Sequence, residues 1–171
     1  YKSTLFYSHK IVQAISHLLH AVENPSDSAS IYKTLASDLF LIPESVLYEL
    51  SEAGELSYLF NSKFAEINTI YESLRKAHEN RYTKDIAYTL HEILRENQIL
   101  EVLSIGFEGK RNLANIYHLS ELLSYTQLTE NLSFGEIVRN LKRDVENSVE
   151  QEMKLDSDKK DNSFNSVQLM T

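Results

Sequence analysis

The chain has 171 residues, a net charge of −8 and no cysteine. That length suits one domain with a core of ordinary size, and the missing thiols exclude disulfides and thiolate metal sites and fit a reducing, cytoplasmic setting. The acidic balance argues against strong nonspecific DNA binding by this chain alone, because neutralising phosphate needs a basic face. No apolar run approaches the roughly 18 residues of a membrane helix, so no membrane partner is expected.

Four glycines and two prolines leave little material for sheet turns and favour helices. The opening, Tyr1-Lys2-Ser3-Thr4-Leu5, has neither an initiator methionine nor a signal-peptide pattern, as expected of a piece cut from a longer chain. Ile11, Ile15, Leu18, Leu19 and Val22 predict a first helix from Phe6 to Glu23. Asn24-Pro25-Ser26-Asp27 breaks it, and Ser26 or Asp27 caps a second helix through Phe40. Pro43 suits the first turn of a short third helix that ends near Gly54.

Phe64, Ile67, Tyr71 and Leu74 mark a long helix from Ser62 to Glu79. Thr83 is positioned to cap the next, which carries Ile86, Leu90, Ile93 and Leu94 and breaks at Asn97. A short apolar run from Ile99 to Leu103 leads into the loop Gly106-Phe107-Glu108-Gly109. From Arg111 to Thr126 the apolar residues spread over more than half the circumference, which predicts a central helix. Ser133 and Glu136 match a capping box, with Leu132 and Ile137 at the staple positions of a last helix. The expected fold is therefore an all-α bundle of about seven or eight helices over residues 1–147. Residues 148–171 read as a polar linker or exposed tip that finishes in a short strand-like run, Ser166 to Thr171.

Chemical motifs are sparse. Gly109-Lys110 is followed by Arg111 and lacks the spacing of a phosphate loop. His17, His20 and Glu23 share a helix face and form a candidate metal triplet, but no second segment supplies a further ligand. His118 and Glu121 repeat that spacing. Asp156, Asp158 and Asp161 lack the glycine and terminal glutamate of a calcium loop. No nucleophile elbow is present. The tyrosines fit core or rim packing on helix faces. Basic residues gather at Lys110 and Arg111, at Arg139, Lys142 and Arg143, and again at Arg75, Lys76, Arg81 and Lys84. An ordinary solvated surface accounts for such groups; the first two are also the candidates for contact with DNA phosphate or a partner subunit.

The segment Lys110-Arg111-Asn112-Leu113-Ala114-Asn115-Ile116-Tyr117-His118-Leu119-Ser120-Glu121-Leu122-Leu123 resembles the Arg-x-Leu-x-Asn/Asp-x-x-His-Leu/Ile-x-Glu-Leu-Leu stretch of RecB-type helicases, the exodeoxyribonuclease V beta subunits. The end of the chain, Met153 to Asp158 and then Val167-Gln168-Leu169-Met170-Thr171, resembles the stretch that in that family precedes a His-x-x-Lys-Gly-Leu-Glu helicase motif. Ile11 to Leu39, with Leu18-Leu19-His20-Ala21-Val22-Glu23-Asn24-Pro25 in it, looks like the Leu-Leu-x-Ala-x-x-x-Pro helix pair that follows the fourth helicase motif in UvrD- and Rep-like enzymes of superfamily 1. One departure stands out: Leu41-Ile42-Pro43 occupies the place where UvrD-like members often carry a Gly-Ile-Gly turn against a DNA backbone.

The resemblance implies a non-catalytic helical insertion, subdomain 2B, of an ATP-dependent DNA helicase or helicase-nuclease. It would hold no cofactor itself, while ATP and magnesium belong to the parent. It would touch DNA through the parent enzyme, or other subunits of the complex, and orient the motor domains in double-strand-break repair and recombination. The alternatives are a stand-alone helical protein-interaction module, or a small metal-dependent hydrolase built on His17, His20 and Glu23.

Overall fold

The computed structural model describes residues 2–169 and is all-helical across them. Nine helices are described: α1 (Lys2–Ser8), α2 (Lys10–Glu23), α3 (Ser28–Ala36), α4 (Glu44–Glu52), α5 (Ala65–Asn80), α6 (Ile86–Glu96), α7 (Ile99–Ile105), α8 (Gly109–Glu130) and α9 (Phe134–Leu169).

The centre of the bundle is α2, not α8 as expected. α2 packs against α1, α3, α5, α8 and α9, and Ile11, Val12, Ile15, Leu18, Leu19, Ala21 and Val22 are all buried. Its sequence permits this, because no charged residue stands between Lys10 and Glu23. α8 buries only the stripe Ile116, Leu119, Ser120 and Leu123 beyond its first residue, leaving Leu113 and Leu122 half-covered.

Several helix ends fall elsewhere than expected, each for a local reason. The first predicted helix is split at His9, whose backbone is extended (φ −61°, ψ 136°) and whose Nδ1 accepts from the Ile11 amide at 3.2 Å. α3 stops at Ala36 rather than Phe40, because Ser37 turns the chain and its hydroxyl donates to the Thr34 carbonyl. Asp27 supplies the α3 cap by accepting from the Ser30 amide at 3.1 Å. α5 begins after Ser62, whose amide and carbonyl are both held by the Asn68 side chain at 2.7 Å. Asp85, not Thr83, caps α6 by accepting from Ala87 and Tyr88; Thr83 bonds back to Asn80 inside the turn.

The capping box forms as read. The Ser133 amide donates to Glu136 Oε2 at 2.8 Å, and the Glu136 amide to Ser133 Oγ at 3.2 Å. These bonds hold the Glu136 carboxyl below its ordinary pKa. Ile137 is buried and Leu132 packs on the core, as a staple requires.

The expected linker from Ser148 onward is instead helical, continuing α9 without a break. Glu152 ties it to the body, accepting from the Ser8 hydroxyl at 2.7 Å, and residues 153–166 are exposed throughout. Of the strand-like run, Ser166 to Leu169 is helical backbone; Met170 and Thr171 lie outside the described residues. No described helix is long and apolar enough to cross a membrane.

Candidate functional site

The corner between α7 and α8 is built from a tight turn. Gly106 ends α7, Phe107 and Glu108 span the gap, and Gly109 opens α8 with its amide donating to the Gly106 carbonyl at 3.0 Å. A methyl group on Gly109 would stand 2.6 Å from the Ser104 carbonyl oxygen and 2.9 Å from that of Leu103. Only glycine lets the two backbones approach so closely.

This packing pushes Phe107 outward. Its side chain is fully exposed, Ile105 is 86% exposed, and Val102 and Leu41 are more than half exposed. Phe107 is a ridge between two open hollows. One, of about 600 Å³, is lined by Leu41, Val102, Leu103, Phe107 and Arg111 together with Lys10 and Asp38. The other, of about 440 Å³, is lined by Ser104, Phe107, Lys110 and Arg111. His9 Nε2 lies 3.7 Å from Glu108 beside the first hollow. Leu41 adopts a left-handed backbone (φ 53°), a conformation that strains a side chain of its size.

Of the five cationic candidates, Lys110 and Arg111 therefore stand at this apex, both exposed on the first turn of α8. Arg139, Lys142 and Arg143 are exposed on α9 and line neither hollow. Arg143 approaches Asp144 at 4.0 Å. Lys142 lies near His17, whose pKa is lowered first by burial and then by Lys33, His20 and Lys142. The five side chains thus fall into two groups.

Three of the four cations in the other basic patch are engaged by neighbouring carbonyl or carboxylate groups. Arg75 donates to the Tyr58 carbonyl at 2.6 Å, Arg81 pairs with Glu23 at 3.0 Å, and Lys76 with Glu96 at 2.8 Å. Lys84 lies over the Tyr88 ring, 5.4 Å from its centroid.

The would-be metal triplet is likewise divided. His20 Nε2 meets Asp27 at 3.0 Å while Glu23 is held by Arg81. Burial pushes the Asp27 carboxyl up, but the Ser30 and His20 contacts outweigh it and its pKa is lowered. Among the described residues, no group of three His, Cys, Asp or Glu side chains is placed to hold a metal ion. His118 sits edge-on to Phe6 at 4.7 Å. Asp156, Asp158 and Asp161 are spread along the exposed part of α9 rather than gathered in a loop.

The apolar half of the apex was missed in the sequence. Its one signal was a phenylalanine in a four-residue interhelical loop, where turn chemistry calls for polar residues. No protein-family model, curated protein or solved structure matches the chain.

Proposed function

We propose that this chain is a non-catalytic helical accessory module of an ATP-dependent DNA helicase or helicase-nuclease. It docks its α7–α8 apex on a protein surface of the same machine, a motor domain or neighbouring subunit, and so orients the motor. The carrying observation is Phe107, fully exposed beside Ile105 and flanked by Lys110 and Arg111. An apolar ridge rimmed by cations suits a protein face with acidic edges better than a phosphate backbone. The acidic total charge points the same way.

The helicase assignment draws on the resemblance in Lys110 to Leu123, which forms the first two-thirds of α8. Leu41-Ile42-Pro43 departs from the glycine turn of UvrD-like enzymes; without glycine, close approach to a phosphate backbone is harder, which favours a subunit-facing role over direct duplex binding through that turn. ATP, magnesium and any nuclease belong to the parent, in the cytoplasm.

The test uses the intact parent. Phe107→Ser combined with Lys110→Glu and Arg111→Glu should leave this module folded, weaken subunit or domain association, remove the fall in affinity that added salt causes in the parent, and lower unwinding. Unaltered association and unwinding would refute the docking role. The parent reading frame past Thr171 tests the family assignment separately: the helicase reading requires His-x-x-Lys-Gly-Leu-Glu or a close relative there. Its absence would leave a stand-alone interaction module using the same apex.

A further inference from the structure

His9 joins two helices and faces a third element. It follows the last residue of α1 and caps α2, with its ring Nδ1 accepting from the Ile11 amide at 3.2 Å. Its Nε2 lies 3.7 Å from Glu108 Oε2, in the loop between α7 and α8. The imidazole is largely covered, with 12% of its side-chain surface exposed against 49% for Glu108.

An acceptor nitrogen carries no hydrogen. The bond from Ile11 therefore assigns the proton of the neutral ring to Nε2, the nitrogen that faces Glu108. α3 and α6 place Asp27 and Asp85 at the same capping position. A carboxylate goes on accepting through the range in which histidine takes up a proton. A histidine cap does not. Its second proton can enter only at Nδ1, which then confronts the Ile11 N–H donor to donor. It also puts a full positive charge at the N-terminus of α2, where the helix dipole is already positive.

Glu108 acts in the opposite sense, since its carboxylate attracts an imidazolium. The hollow that both residues line also holds Lys10 on α2, Asp38 beyond α3 and Arg111 on α8. Two cations and two carboxylates thus share the hollow with the ring. A proton on His9 takes away its partner at the helix end and strengthens its partner on the α7–α8 loop.

We propose that His9 is a proton-operated latch between the start of α2 and the α7–α8 corner. Neutral, it caps α2. Protonated, it releases the Ile11 amide and turns to Glu108, the residue next to Phe107. The added charge makes the hollow net positive, which favours an acidic partner face. That last consequence rests on the docking reading above; the latch itself does not.

The experiment is an imidazole and amide NMR titration of this chain from about pH 8 to about pH 5, repeated on His9→Asn and Glu108→Gln. At the alkaline end the His9 ring should carry its proton on Nε2, with Nδ1 bare. On acidification the Ile11 amide should shift with the same midpoint as the His9 ring. Asparagine caps a helix without titrating, so His9→Asn should abolish the Ile11 shift. In Glu108→Gln, a change at an exposed residue, the Ile11 transition should need about threefold more protons. A proton on Nδ1 at the alkaline end, an Ile11 response that persists in His9→Asn, or a transition unmoved in Glu108→Gln would overturn the proposal. In the parent, association through the apex should strengthen about threefold over the same acidification, and His9→Asn should remove that gain. An intact Ile11 response without that gain would leave the latch standing and count against docking through this face.

Discussion

Replacing Tyr58 with phenylalanine probes how the central helix is terminated. Pro25 follows α2 and has no amide hydrogen, so the Ala21 carbonyl lacks the donor that a continuing helix would provide. Tyr58 supplies it from another segment: its hydroxyl lies 2.7 Å from the Ala21 oxygen and 2.8 Å from that of Val22. His78 Nδ1 also reaches the Val22 oxygen, at 2.7 Å. The phenol is completely buried, and burial raises its pKa, so it stays a neutral donor.

Tyr58→Phe removes one oxygen and opens no cavity of consequence. Val22 keeps the bond from His78, but Ala21 is left with an unsatisfied carbonyl in the core. That should cost about 1–3 kcal/mol. Urea unfolding followed by circular dichroism measures it, with the dependence on denaturant unchanged. Combining Tyr58→Phe with His78→Ala should cost more than the sum of the two, because Val22 then loses both donors. A Tyr58→Phe change below about 0.5 kcal/mol, together with strict additivity, would refute this account of the helix end.

Three further outcomes are expected. Ser133→Ala should cost about 1 kcal/mol of stability through the lost cap, read as a shift in the urea midpoint. Gly109→Ala should destabilise by about 1–3 kcal/mol, since the added methyl meets the carbonyls of Leu103 and Ser104 rather than a yielding side chain. Its amide shifts should centre on the α7–α8 corner. For pH, burial lowers the pKa of both His17 and His91 from the ordinary 6.5. The unfolded chain therefore takes up these protons first, so stability is fully present above 6.5 and is lost as pH falls through the folded values. Thermal unfolding should move to lower temperature on acidification below 6.5, and His17→Gln with His91→Gln should flatten that first decline. Asp27 and Glu136, also lowered, add to the loss further down, below their ordinary 3.8 and 4.5.

Helical periodicity located the elements well because each helix needs an apolar stripe to pack, and a stripe is visible in one dimension. It misplaced the centre because a wide stripe is not the same as full burial. Leu113 and Leu122 widen the stripe of α8 without being covered. The absence of charge from Ile11 to Val22 was the better indicator, since an interior helix has no face on which to keep charges in water. Helix starts were legible where the capping partners are neighbours, as at Ser133 and Glu136. They were misread at Ser62, whose bonds go to Asn68 and Glu55.

At the candidate site, Lys110 and Arg111 were legible as charges. The exposure of Phe107 was not, because it follows from how closely Gly109 lets α8 approach α7. The pairing of Arg81 with Glu23 spans 58 positions, and no local pattern announces it. Composition alone makes the tail a linker, but it ignores that an established helix lowers the barrier to extending it.

The stretch of α9 beyond Glu152 is too polar to start a helix in water, since closing the first turn fixes several dihedral angles for a single bond. The packed half, from Phe134 to Val149, has already met that requirement through its contacts with α1 and α2. Every residue outward adds one bond for one residue ordered. Helix in the projecting half is thus seeded at the body, so amide exchange should quicken with distance from Glu152. A neighbouring surface could lengthen or shorten the ordered rod while the bundle beneath it stays as it is.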